Sequence, residues 1–390
     1  MLSTRVRELK PAATLEMNSL RLKVEAQGRR VINFSVGEPD FDTPAFIRDA
    51  AVRALNNGWT RYTAVAGVLE LRAAVAKTAG AARGMTIDPE HVIITNGAKH
   101  AIAEVLLSLV DRGDEVLLPA PYWVSYPDMI SACEGHTIAV SVGIEDGFRV
   151  RPELLERVVT PRTVGLILNS PCNPTGVVYS RAEIDALLDF AAAHDLWVLS
   201  DEIYEHFCYT GSFATAYTPH TVDRTILISG LSKTYAMTGW RMGWAIASKS
   251  IIGAVNRLQS HTSSNASSVS QAAAIAALTL PDGGFLRDMI REFRERRDLA
   301  VKLLDGAPGI RMLAPEGAFY LFLDISELLK KSGRPSTPTE FCLAALDQAA
   351  VALVPGEGFG APGAVRISFA CAKPQIEEGL AALRRFVANY

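Results

Sequence analysis

The stretch Thr225-Ile-Leu-Ile-Ser-Gly-Leu-Ser-Lys-Thr-Tyr-Ala-Met-Thr-Gly-Trp-Arg-Met-Gly243 carries the pattern on which the fold turns. Its first five residues form a short apolar run, the signature of a strand buried on both faces. The run stops at Gly230, and Lys233 follows within a turn of small and hydroxyl residues, with Arg241 further on. A lysine after a strand is ordinarily a solvated side chain. Its other reading is an amine at the mouth of a sheet, made reactive toward carbonyl groups once burial and cationic neighbours lower its pKa. The residues at the other strand ends decide between the two.

Working outward, apolar runs at Val92–Thr95, Glu115–Leu118, Val164–Asn169, Leu196–Ser200 and Gly243–Ala247 alternate with helical windows such as Lys99–Val110 and Arg181–His194. Strand–helix alternation predicts an α/β fold with a mainly parallel sheet flanked by helices. After about Pro281 the texture becomes α+β, predicting a smaller second domain. It offers a long charged helix over Phe285–Leu304, a helix near Pro338–Ala350, a final helix, and strands near Phe319–Asp324, Val351–Val354 and Val365–Phe369. The predicted division is an N-terminal segment, 1–42, packing with the small domain; a large domain, 43–282; and a small C-terminal domain, 283–390. In the N-terminal part, a helix from about Thr14 to Gln27 ends at Gly28, and Val31–Ser35 reads as a short strand. Thr43 before Pro44 and Thr337 before Pro338 each predict a capped helix start. The charges from Arg287 to Arg297 read as a solvated helix face.

With 49% apolar and 21% charged residues over 390 positions, the chain has the balance of a globular enzyme with a substantial core. A formal charge of −3, with neither half strongly basic, argues against a nucleic-acid surface. No run approaches the roughly 18 apolar residues of a membrane span, and the N-terminus lacks an apolar signal core. Cys133, Cys172, Cys208, Cys342 and Cys371 are scattered and lack metal-ligand spacing, which predicts reduced thiols in the cytoplasm and no metal site.

In parallel sheets, ligands bind beyond the carboxyl ends of the strands. After Val92–Thr95 come Asn96, Gly97, Ala98 and Lys99, a small-residue helix start whose N–H groups suit a phosphate, although many helices begin with glycine. After Val164–Leu168 comes Asn169-Ser-Pro-Cys-Asn-Pro-Thr-Gly176, where two prolines fix Asn173 so that its amide can bond a phenolic oxygen, or simply turn the chain. Asp201 ends the next strand, with Tyr204 one helical turn on. A carboxylate there is costly to ionise without a cation. A protonated pyridine nitrogen would be that cation; capping the next helix is the plainer role. Lys233 and Arg241 follow the fourth strand. A phosphate cradle, a hydrogen bonder, an acid and an amine, in this order, match pyridoxal 5′-phosphate.

Six motifs make the match specific: Asn33-Phe-Ser-Val-Gly-Glu-Pro-Asp-Phe-Asp-Thr-Pro44, Arg61-Tyr-Thr-Ala-Val-Ala-Gly67, Pro121-Tyr-Trp-Val-Ser-Tyr-Pro127, Asn173-Pro-Thr-Gly176, Ser200-Asp-Glu-Ile-Tyr204 and Ser232-Lys-Thr-Tyr-Ala-Met-Thr-Gly-Trp-Arg241. By them the chain resembles, over essentially its whole length, the class I aminotransferases of fold type I, and among these the bacterial aspartate aminotransferase-like branch. The resemblance implies a seven-stranded sheet in the large domain and a homodimer with shared active sites. It implies that Lys233 holds the cofactor covalently and, once freed, shuttles a proton between substrate and cofactor. Asp201 would keep the pyridine nitrogen protonated, Asn173 and Tyr204 would bond the ring's 3-oxygen, and Trp123, otherwise a core aromatic, would stack on the ring. The phosphate would lie against the backbone of Gly97, Ala98 and Lys99, with Ser232 and Arg241, while Tyr62 would reach the phosphate of the neighbouring subunit. Arg366, in Ala364-Val-Arg-Ile-Ser-Phe369, would clamp the substrate α-carboxylate through two parallel hydrogen bonds, beside the backbone of Gly37 and bordered by Trp123 and Asn173. One departure stands out. Many relatives carry a hydroxyl three residues before the lysine, where this chain has Gly230. Cys172 reads as a small filler beside the site.

A dicarboxylic substrate needs a further cation for its distal carboxylate. Lys10, in Arg7-Glu-Leu-Lys-Pro-Ala-Ala-Thr14, matches a stretch of the aspartate-using and prephenate-using relatives, and Arg61 is a second candidate. The expected reaction is ping-pong amino transfer from L-aspartate to 2-oxoglutarate. Aromatic, prephenate/arogenate or alanine-like specificity is the alternative, and elimination or decarboxylation on the same fold a remoter one. Aminotransferase-like transcription regulators carry an added DNA-binding module; the roughly 30 residues before the resemblance begins lack a basic recognition helix. The partners expected are an amino acid and a 2-oxo acid, with no nucleic acid and no membrane.

Overall fold

The computed structural model describes residues 2–9, 13–331 and 335–389. Its strands, in chain order, are β1 (Ile32–Asn33), β2 (Val92–Asn96), β3 (Glu115–Ala120), β4 (His136–Ser141), β5 (Thr163–Asn169), β6 (Trp197–Asp201), β7 (Thr225–Gly230) and β8 (Met242–Ile246), then β9 (Arg311–Met312), β10 (Tyr320–Asp324), β11 (Val351–Ala352), β12 (Val354–Pro355) and β13 (Ala364–Ser368). Seven of them form one sheet in the order β2-β8-β7-β6-β5-β3-β4, in which only β8 runs antiparallel to its neighbours. This is the seven-stranded, mainly parallel sheet that the resemblance implied.

The central strands read as continuous apolar runs because helices cover both faces. On β7, Leu227 packs with the helices Leu69–Arg83 and Ser268–Thr279, while Ile226 and Ile228 point the other way toward Ala98–Leu109 and Lys249–Thr262. Strand β4 is missing from the predicted runs. It lies at the sheet edge, where the short apolar stretch Ile138–Val140 is flanked by His136, Thr137 and Ser141 and only Val140 is buried, so its apolar run is too short to stand out.

A second, four-stranded antiparallel sheet has the order β12-β13-β10-β9. The helices Phe285–Leu304 and Lys373–Ala388 cover it through a core that includes Phe293, Phe319, Leu321, Ile367 and Leu380. Strand β1 pairs in parallel with β11, Ile32 opposite Val351, which ties the early chain to this C-terminal unit.

Two local expectations need correction. Thr43 does not cap a helix: the helix is Ala45–Asn56, and Pro44 precedes it without a side-chain cap. The Thr43 hydroxyl instead donates to Ala236 O at 2.8 Å and accepts from Trp240 Nε1, a tertiary use that outcompetes the cap. Thr337 does cap, accepting from Glu340 N. Nor is the charged face of Phe285–Leu304 wholly solvated. Arg296 shares the buried stripe of Met289, Phe293 and Ala300, and it is held by Asp40 at 2.6 Å and Glu292 at 3.0 Å. Among the described residues no helix is long and apolar enough to cross a membrane. Nor does any cluster of His, Cys, Asp and Glu among them suit a metal.

Candidate active site

Beyond the carboxyl ends of β5, β6 and β7 lies a cavity of about 280 Å³. Of the residues predicted from sequence, Gly37, Ala98, Lys99, Trp123, Asn173, Asp201, Tyr204, Ser232, Lys233, Arg241 and Arg366 line it. Tyr62 does not, being 89% exposed on the surface, and Arg61 is exposed beside it. Lys10 lies outside the described residues.

Lys233 sits in the single helical turn Leu231–Thr234 that follows β7. Its Nζ donates to Gly37 O at 2.7 Å. Burial lowers its pKa to about 8, opposed by Glu38 and assisted by the guanidinium groups of Arg366 and Arg241. The shift leaves roughly a tenth of the amine neutral at pH 7, far more than an ordinary lysine offers, and the neutral form is the nucleophile. Gly230, the departure noted above, has no room for a side chain. A Cβ there would lie 2.8 Å from Met242 O and 2.9 Å from Gly243 Cα, while Ser232, next to the lysine, lines the cavity.

Asp201 ends β6 and is buried. It accepts hydrogen bonds from Tyr126 Oη at 2.7 Å and Ile203 N at 3.1 Å. Burial nevertheless raises its pKa to about 6 against those two bonds. A cation placed against it would restore the ionised form.

Arg366, from β13, is buried. Its Nη1 donates to Asn173 Oδ1 at 3.0 Å and its Nη2 to Ser35 O at 2.9 Å, while Nε has no partner. The guanidinium lies over Tyr320 at 4.5 Å and Phe359 at 5.1 Å. No carboxylate among the described residues pairs with it, and a buried guanidinium lacking an anion is a site for one. Asn173 in turn donates its backbone N–H to Asn169 Oδ1 at 2.8 Å, which fixes the loop that carries its side chain.

The phosphate end is equally legible. Gly97, with φ of +89°, opens the helix Ala98–Leu109, and any Cβ there would strike Arg241 Nη2 at 2.6 Å. Glycine therefore lets the guanidinium lie against the helix start, where free N–H groups and the dipole favour an anion. Arg241 is itself held by Thr238 O at 2.9 Å and Asn96 O at 3.2 Å. The Lys99 ammonium lies 4.8 Å over Trp123, and its pKa is lowered by burial and by Arg241. Lys99, Lys233, Arg241 and Arg366 thus face a single carboxylate, Asp201, across one cavity. Such an excess of positive charge suits a ligand carrying several negative charges. A phosphate at the helix start, a ring nitrogen at Asp201 and an aldehyde at Lys233 meet these groups, so the residues present fit pyridoxal 5′-phosphate.

Sequence reasoning missed Tyr126, Tyr320 and the Lys99 side chain. Tyr126 is three residues past Trp123, a spacing that pointed to it; its ring meets Trp123 edge-on at 5.2 Å. Tyr320 has no local signal. Cys172 is buried with its thiol pKa raised, which agrees with a filler.

Sheet, crevice and lysine turn together define a pyridoxal 5′-phosphate enzyme of fold type I. Residues 29–383 match the family described as Aminotransferase class I and II, and the chain belongs to that family. It is 40% identical to an aspartate aminotransferase of Geobacillus stearothermophilus, over 99% of this chain and 98% of that one. It is 41% identical to an aspartate/prephenate aminotransferase of Cereibacter sphaeroides, over 100% and 99% respectively. Among solved structures it superposes on the aspartate aminotransferase from Thermus thermophilus with maleate at a TM-score of 0.94, with 37% identity and 99% of both chains covered. The enzyme is an aminotransferase and its cofactor is pyridoxal 5′-phosphate.

Proposed function

We propose that the enzyme transfers the amino group of L-aspartate to 2-oxoglutarate. The observation that carries this reading is Lys99: an ammonium inside the cavity, with no acid paired to it among the described residues, resting on Trp123. It supplies the cation that a distal carboxylate needs. Relatives bearing the name aspartate aminotransferase support the same substrate. Prephenate as a second acceptor is favoured by relatives named aspartate/prephenate aminotransferase, and it too carries a second carboxylate.

When bound, the cofactor supplies an electrophilic aldehyde carbon and a pyridinium electron sink. Lys233 is the residue to hold it covalently. The ring nitrogen belongs to Asp201, the 3-oxygen to Asn173 and Tyr204, the ring face to Trp123, and the phosphate to the turn Gly97–Lys99 with Ser232 and Arg241. Arg366 binds the substrate α-carboxylate in a bidentate manner beside Gly37, fixing the α-hydrogen relative to Lys233. The Lys233 amine takes that proton from the substrate α-carbon and would pass it to the carbon that the cofactor's aldehyde supplies; a pKa of about 8 suits both duties. Tyr62, exposed on one subunit, completes the phosphate site of a second copy, which makes the enzyme a homodimer. Its location is the cytoplasm. The division at 1–42, 43–282 and 283–390 belongs to the same proposal, supported by the pairing of β1 with β11.

Single-turnover absorbance with a panel of amino donors tests the substrate. Aspartate should convert the cofactor fastest; faster conversion by phenylalanine or alanine would overturn the assignment.

A further inference from the structure

We propose that Tyr320 is a positioning residue: its hydroxyl donates to Tyr204, turning the Tyr204 proton toward the cofactor's ring oxygen and linking that bond to the Arg366 clamp. This rests on the assignments of Tyr204 and Arg366 above.

Strand pairing brings the groups together. Across β10 and β13, Tyr320 opposes Ser368 and Phe322 opposes Arg366, so Tyr320 and Arg366 are diagonal neighbours on one face. That register lays the guanidinium over the phenol ring at 4.5 Å. The hydroxyl of Tyr320 reaches out of its own sheet to meet Tyr204 Oη at 2.7 Å, with the two rings at 84°. It also crowds Gly37, where a Cβ would lie 2.8 Å from Tyr320 Oη, and Gly37 is the residue whose carbonyl holds Lys233. One phenol thus touches the ring-oxygen ligand, the carboxylate clamp and the segment restraining the amine.

Each phenol has one proton, so one of the pair donates to the other. Burial raises both pKa values and Arg366 lowers both, but its guanidinium lies directly over the Tyr320 ring at 4.5 Å, so the cation acidifies Tyr320 at closest range. The more acidic phenol is the better donor, which assigns the donation to Tyr320 and leaves the Tyr204 proton for an acceptor in the cavity. The charged groups acting on the pair are Arg366 and, for Tyr204, Asp201; Lys233 and Arg241 line the same cavity. A donor that itself accepts a hydrogen bond is strengthened by roughly 10–30%. A bond donated to the ring oxygen stabilises its anion and lowers the pH at which it forms.

The test is a pH titration of the holoenzyme's visible absorbance in Tyr320→Phe, Tyr204→Phe and the double variant. Phenylalanine keeps the ring beneath Arg366 and removes only the hydroxyl. Tyr320→Phe should raise the midpoint by about 0.3–0.5 pH unit, and the double variant should shift no further than Tyr204→Phe alone. An unmoved midpoint in Tyr320→Phe, or a shift that adds fully to that of Tyr204→Phe, overturns the proposal. An unmoved midpoint in Tyr204→Phe instead overturns the assignment beneath it. 3-Fluorotyrosine at position 320, a more acidic phenol that keeps every contact, should move the midpoint down, and a failure to do so counts equally against the relay.

Discussion

Tyr126 donates its phenolic proton to Asp201 at 2.7 Å, and both side chains are buried. The bond stabilises the ionised carboxylate, which is the form that holds a pyridinium. Tyr126→Phe should therefore weaken apoenzyme affinity for pyridoxal 5′-phosphate by about tenfold or more, as for a lost hydrogen bond to a charged group. Equilibrium titration of the apoprotein measures this directly.

Asp201 also sets a pH dependence. Its folded pKa, about 6, lies above the ordinary 3.8, so the folded apoprotein binds its proton more tightly than the unfolded chain does. The resulting penalty is absent below the unfolded value and grows as pH rises toward the folded one. Relative to Asp201→Asn, the apoenzyme should lose about 3 kcal/mol between the two pKa values. Denaturant unfolding on both sides of that window gives the difference, and a stability difference independent of pH would contradict it.

Lys233→Ala should abolish the visible absorbance band and lower turnover by about 10³-fold or more. Borohydride reduction should then fix no cofactor to the chain. Mass spectrometry finding it on Lys99 would remove Lys233 from its role.

Lys99→Met should reduce kcat/KM for aspartate by about 100-fold, the scale of an unpaired charge left in a closed site. Alanine, lacking a distal carboxylate, should be affected severalfold at most. Equal losses for both would assign Lys99 to the cofactor instead of the substrate.

Arg366→Lys keeps the charge but not the planar fork. It should raise KM about 100-fold for every amino donor alike, because all share the α-carboxylate. Steady-state kinetics on aspartate and alanine decide this.

The lining of the cavity was readable because a parallel sheet delivers its side chains at strand ends, and each end here is followed within a few residues by a group that lines it. Asp201 and Lys233 belong to such local strings. Tyr320 does not: its partner Tyr204 is 116 residues away, and they meet only where the turn after β6 packs against β10. Lys99 was legible as backbone at a helix start, whereas the direction of its side chain depends on Trp123 and Arg241. Strand β4 and Arg296 show the converse. An edge strand with only three apolar residues in a row is easily passed over by apolar patterning, and a charged residue on an apolar stripe is claimed by Asp40, far away in sequence.

The pairing of Ile32 with Val351 has a temporal consequence. Ser35, which holds Arg366, and Gly37, which holds Lys233, lie just beyond that early strand. During synthesis the strand must wait for a partner more than three hundred residues downstream. The seven-stranded unit can condense first, but a competent crevice forms only when the two remote stretches meet, so maturation of this enzyme is a late, long-range event.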